Sequence, residues 1–199
     1  MLVGLDEAGV GPAFGSLWAA AVAQREPHVG WPAGLTDSKR LTPARREALR
    51  AALEDKGVYY GLGEVTAQEI DAQGLGHARR RVFERALDDL RVRFPHAPMP
   101  TRLIVDGTLF GSWRGVPHEC VPRADATVPE ASAASVLAKT TRDAQVLAWC
   151  DADPTLDARY AIRANKGYLS ARHVEGLRAH GCSPHHRTSY RVRALEPKA

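Results

Sequence analysis

Four carboxylates stand where structure alone has little use for a charge. Asp6 and Glu7 directly follow the apolar run 2–5, Asp106 closes the apolar run 103–105 just before Gly107, and Asp125 lies in a short polar stretch ahead of Pro129. Any one of them, taken singly, reads better as a surface charge or a helix cap. As a set they point to a different chemistry. Carboxylates gathered in one place repel and raise one another's pKa values, and a divalent cation relieves that repulsion. Hard oxygen ligands with no accompanying Cys or His cluster favour Mg2+ or Mn2+ over Zn2+. Two such ions roughly 4 Å apart activate a water and stabilise the leaving oxygen of a phosphodiester. One geometric condition applies: adjacent strand residues face opposite sides. Asp6 and Glu7 therefore share a site only if the chain bends there, and Ala8 followed by Gly9 supplies a place to bend.

The elements that must position these acids are legible in the pattern. Residues 2–6 and 17–23 read as buried strands. Thr42 followed by Pro43 starts a helix, with Leu49 and Leu53 on one face and Gly57 as its stop. A strand begins at 58–60. Thr66 and Glu69 have the spacing of a capping box, and the helix they open breaks at 74–76, resumes at His77 and ends before Pro95. Residues 103–106 form another apolar strand. Residues 129–149, rich in Ala and Ser, form a helix able to approach its neighbours closely, with Asp153 and Pro154 closing it. A last helix covers 171–180 and stops at Gly181. Strands mixed with helices imply one α/β domain, about 1–150 as its core and about 151–199 as a helical C-terminal segment.

Composition narrows the function classes. The chain has 199 residues, a net charge of +4 and 44% hydrophobic residues, which suits a globular protein with a mild preference for anionic partners. Cys120, Cys150 and Cys182 are odd in number and widely spaced, so the expectation is reduced thiols in a cytoplasmic protein. Cys182 and His185 have a metal-like spacing, but no second close pair completes a zinc site. The N-terminus has no basic region or long apolar run, and no stretch reaches the roughly 20 apolar residues that span a bilayer. Trp18, Trp31, Trp113 and Trp149 read as packing residues rather than base-stacking platforms.

Short motifs extend from these acids along nearly the whole chain. The segment 6–12, DEAGVGP, resembles the opening motif of the ribonuclease HII family. TDSKRLT at 36–42, VDG at 105–107, the segment from Asp125 to Lys139, KGY at 166–168 and HRTSY at 186–190 resemble the blocks that follow, in the same order. The resemblance implies an α/β RNase H-like fold, a mixed five-stranded sheet flanked by helices with a helical C-terminal extension. It implies hydrolysis of RNA in RNA–DNA hybrids and at ribonucleotides embedded in duplex DNA, by two-metal-ion catalysis with Mg2+ or Mn2+, leaving 3′-hydroxyl and 5′-phosphate ends. By matching motifs, Asp6, Glu7, Asp106 and Asp125 take the places of the catalytic, metal-binding acids. Gly9, Val10, Gly11 and Tyr168 match the residues that sense the 2′-hydroxyl. Ser38, Lys39, Lys139, His186 and Arg187 are expected at the substrate, with Arg142 and Lys166 as further candidates for phosphate contact.

Three positions depart from the family. Val10 stands where arginine is usual, removing a guanidinium contact to phosphate while leaving backbone contacts possible. Ala124 replaces a usual glycine before Asp125, and Ser170 replaces a common threonine. The sister ribonuclease HIII type is the alternative. It carries an extra N-terminal domain and a glutamate in the last acid's place, and this chain has Asp125. A hybrid-binding protein with weakened catalysis is the other. A monomer is the default.

Overall fold

The computed structural model describes residues 1–192. Strands β1 (Leu2–Ala8), β2 (Leu17–Ala23), β3 (Tyr59–Val65), β4 (Arg102–Asp106) and β5 (His118–Val121) form one sheet in the order β3-β2-β1-β4-β5. β1 runs antiparallel to β2, and β2 to β3. β4 lies parallel to β1, and β5 to β4. The sheet is therefore mixed, and β1 is its centre.

Alternation along the strands assigns the two faces. Val3, Leu5, Leu17, Ala19 and Val105 pack with Val82, Phe83, Ala86 and Leu90 of α3 (Leu75–Arg93). Ala20 and Val22 face the other way, against α1 (Pro43–Asp55) and α4 (Pro129–Ala152). The small residues of α4 do what their sizes predict. A side chain on Gly4 would begin 2.3 Å from the backbone of Glu130 and Ala131, so α4 lies directly against β1. That contact brings the N-terminal half of α4 under the end of β1 that carries Asp6.

Most elements follow the sequence reading. Thr42 caps α1 through its side chain, and Thr66 and Glu69 form a reciprocal capping box on α2 (Ala67–Gln73). The break in that helical stretch falls at Gly74 alone, and α3 resumes at Leu75 rather than His77. Pairing with β4 adds β5, a short, half-exposed edge strand with no apolar alternation to mark it. Asp153 and Pro154 close α4 and also open α5 (Pro154–Tyr160), with the Asp153 side chain accepting from the Thr155 N–H. A single turn, α6 (Ile162–Asn165), and α7 (Ala171–His180) complete the helical C-terminal segment, whose last residues, 193–199, lie outside the described residues. Among the described residues no helix is long and apolar enough to cross a membrane, and Cys120, Cys150 and Cys182 are free thiols.

The four tryptophans pack as expected. Trp113 is buried, Trp149 meets Phe14 edge-on, Trp31 lies against the α1–α4 core, and Trp18 donates from Nε1 to Gln145.

Candidate active site

The carboxylates converge at the ends of β1 and β4. Oxygens of Asp6, Asp106 and Asp125 all lie within 4.8 Å of one another, a spacing that one cation spans. Asp6 sits opposite Ala20 in the β1–β2 register and so projects toward α4. Its Oδ1 accepts the Glu7 N–H at 2.7 Å, and the Ser135 hydroxyl on α4 stands beside the same carboxylate and draws its pKa down. Ser135 in turn shares a hydrogen bond with the Ser38 hydroxyl at 2.7 Å and accepts from the Ser38 N–H at 3.3 Å. Both serines are buried, so they fix Asp6 from below.

Electrostatics show what this proximity costs. Asp6 is held well above the usual carboxylate range, first by burial and then by the neighbouring Asp106. Burial, with Asp106 and Asp37 beside it, pushes Asp125 up to about 6. Lys39 brings an amine to the cluster, its exposed Nζ standing 3.9 Å from Asp125 Oδ2. Buried acids that repel one another in this way fit a divalent cation, whose charge removes the penalty. The all-oxygen donor set fits a hard ion.

Glu7 is placed differently. It stands opposite Ala19 on the α3 face, so the two adjacent acids do leave opposite sides of the strand, as alternation demands. Glu7 reaches the same cavity without joining the cluster of three. Nε of Arg79, on α3, donates to Glu7 Oε1 at 2.8 Å, and Nη2 pairs with the same oxygen. Burial pushes the Glu7 pKa up, Arg79 draws it down, and Oε2 is buried without a hydrogen-bond partner.

Ten of the thirteen expected site residues line one cavity of about 230 Å3, the exceptions being Asp125, His186 and Arg187. Gly9, Val10 and Gly11 form its wall. Gly9 has φ of +100°, and a side chain there would begin 2.5 Å from Arg142 Nε. Tyr168 faces the turn, its ring 3.6 Å from where a Gly11 side chain would start, and is half exposed. Lys139 reaches the cavity while donating to Asp143 at 2.8 Å.

His186, Arg187 and Arg142, expected at the substrate, are instead buried and hydrogen-bonded within the protein. Arg187 donates from Nε to the Gly15 carbonyl at 2.8 Å and from Nη1 to the Val10 carbonyl and the Tyr190 hydroxyl. Tyr190 also donates to Val10 O at 2.6 Å. Arg142 donates to the carbonyls of Phe14 and Lys166. His186 accepts from the Ser183 N–H at Nδ1 and meets His173 Nε2 at 2.9 Å, while His173 Nδ1 lies 2.9 Å from the Tyr168 carbonyl. These side chains carry the turn and the tyrosine from beneath. Their charge and polarity suggested a surface, but the backbone carbonyls of an irregular loop need buried donors. Asp37 and Arg79, both at the acids, went unmarked in the sequence: one sits beside a motif serine, the other in a run of helical arginines.

A family model described as Ribonuclease HII matches residues 3–193. The chain belongs to the ribonuclease HII family. It is 38% identical to a ribonuclease HII of Verminephrobacter eiseniae over 96% of this chain and 85% of that one. It is 36% identical to one of Neisseria meningitidis over 96% and 92%. Among solved structures it superposes on the ribonuclease H2 of Pyrococcus horikoshii with a TM-score of 0.72 at 26% identity, covering 95% of this chain and 93% of that one. It superposes on the RNase HII of the PCNA:RNase HII complex from Archaeoglobus fulgidus with 0.75, over 100% and 98%; at 20% identity that likeness shows the fold alone. The mixed five-stranded sheet is thus an RNase H-like fold. Membership makes the chain a hydrolase, an endonuclease for the RNA strand of RNA–DNA hybrids that depends on divalent metal ions.

Proposed function

We propose that Asp6, Glu7, Asp106 and Asp125 are the catalytic acids, that they hold two Mg2+ or Mn2+ ions, and that the substrates include single ribonucleotides embedded in duplex DNA. The observation that carries this reading is the convergence of three aspartate oxygens within 4.8 Å, at the edge of a cavity that Asp6 and Asp106 line and a glycine turn walls. The ions supply activation of the attacking water and neutralisation of charge at the scissile phosphate. The chain's own residues do the rest. Ser38 and Ser135 orient Asp6. Lys39, exposed at the rim, meets the phosphate backbone, with Lys139 behind it. Backbone groups of the Gly9–Val10–Gly11 turn, the Val10 carbonyl apart, read the ribose 2′-hydroxyl, while the Tyr168 ring packs on the neighbouring deoxyribose. Arg187, Tyr190 and the two histidines hold that reading head in shape. Cleavage on the 5′ side of the ribonucleotide leaves a 3′-hydroxyl and a 5′-phosphate. One catalytic domain acting as a monomer in the cytoplasm suffices for this chemistry.

A labelled RNA–DNA hybrid incubated with Mg2+, with Mn2+ and with chelator tests the reading. Cutting should require metal and vanish in Asp106→Asn, whose unfolding temperature stays at or above that of the native chain. Cutting by Asp106→Asn at the native rate would sink it.

A further inference from the structure

The four acids are not equivalent, and Arg79 makes the difference. Asp6, Asp106 and Asp125 face one another, with Lys39 as the basic group beside Asp125. Glu7, leaving β1 on the α3 face, is met by the Arg79 guanidinium. Arginine–carboxylate pairs are frequently bidentate, with one donor on each oxygen. Here both donors fall on Oε1, and the buried Oε2 is left without a partner. Arg79 Nη2 also lies 3.7 Å from where a side chain on Gly107 would start, next to Asp106. The guanidinium thus stands between Glu7 and the end of β4, at the border of the aspartate cluster.

We propose that Arg79 is a counter-charge competing with the second divalent ion for Glu7, so that it sets the affinity of that ion while leaving the ion held by the three aspartates little affected. The inference rests on the metal reading above. Its sign follows from the charges. A divalent ion bound by Glu7 is repelled by a guanidinium on the same carboxylate, and burial strengthens that repulsion. Orienting Glu7 is a smaller benefit, because β1 already fixes its backbone and burial restricts its side chain. Arg79 is therefore a positioning residue that acts through Glu7 and restrains the second ion.

Mn2+ binding to the intact protein, followed by the electron paramagnetic resonance of free Mn2+ and by calorimetry, tests this without reference to activity. The native chain should show a tighter and a weaker class of site. In Arg79→Gln the weaker class should tighten by about tenfold, within the range that groups beside metal ligands command, while the tighter class moves by less than about twofold. Arg79→Lys, which keeps the charge and is the gentler change to the helix, should fall between. Glu7→Gln should abolish the weaker class in either background, so that Arg79→Gln adds nothing to it. A weaker class that is unchanged or loosened in Arg79→Gln would overturn the proposal and leave Arg79 an orienting or structural residue. Failure of the native chain to bind Mn2+ at all, with Asp106→Asn indistinguishable from it, would overturn the metal reading and this proposal together.

Discussion

Replacing Asp125 with asparagine should destroy the nuclease and stabilise the ion-free protein. The carboxyl of Asp125 is pushed from 3.8 to about 6 by burial and by Asp106 and Asp37. Two pKa units correspond to about 3 kcal/mol of differential stability. Solvent entering beside the exposed Lys39 screens part of this, leaving about 1–2 kcal/mol. The folded-state pKa is raised, so the cost is absent below the unfolded value near 4, grows between about pH 4 and pH 6, and is complete at about pH 7. The asparagine amide can donate to Asp37, where the aspartate could only repel it. For a chain of this length each kcal/mol moves Tm by about 2–4 °C. Asp125→Asn should therefore melt about 2–8 °C above the native chain at pH 7.5 in chelator, and the difference should shrink toward zero at pH 4. Added Mn2+ should reverse the order, because only the native site gains binding energy from the ion. Thermal unfolding by circular dichroism, with and without Mn2+ at three pH values, measures all of this. An asparagine variant that melts at or below the native temperature in chelator at pH 7.5 would refute the claim that these acids repel one another.

Three further outcomes probe the cavity wall. Gly9→Ala places a side chain at φ of +100° and 2.5 Å from Arg142 Nε; it should cost about 1–3 kcal/mol in unfolding experiments and lower kcat/KM by at least about tenfold. Arg187→Met removes the donor to Gly15 O and one of two donors to Val10 O; denaturant titration should show a loss of about 3 kcal/mol, and KM should rise more than kcat falls. Val10→Arg should lower KM for a single embedded ribonucleotide by about tenfold, the value of one added charge-assisted phosphate contact, while kcat stays level; an unchanged KM would make Val10 neutral.

The linear order of residues determined much of this protein. The caps at Thr42 and Thr66, the strands of β1 and β2, and the small residues of α4 act locally, through backbone donors, alternation and side-chain size, so they are visible without the fold. Asp6, Glu7 and Asp106 stood out for the same reason, since charge directly following an apolar strand is a local anomaly. Neighbourhood is a different kind of fact. Asp153 and Pro154 end one helix and begin another, and the second helix is held by packing against α4 and α7. The edge strand β5 exists because β4 offers it hydrogen bonds. Arg187 and His186 carry the same charge and polarity whether they meet a phosphate or a buried carbonyl, and Arg79 differs in no local way from Arg80 beside it. Which role each plays depends on what the chain brings within 3 Å from more than 70 positions away, as with Arg79 and Glu7 or Arg187 and Gly15. Hydrogen bonds and charges act through space, so those assignments belonged to the tertiary structure alone.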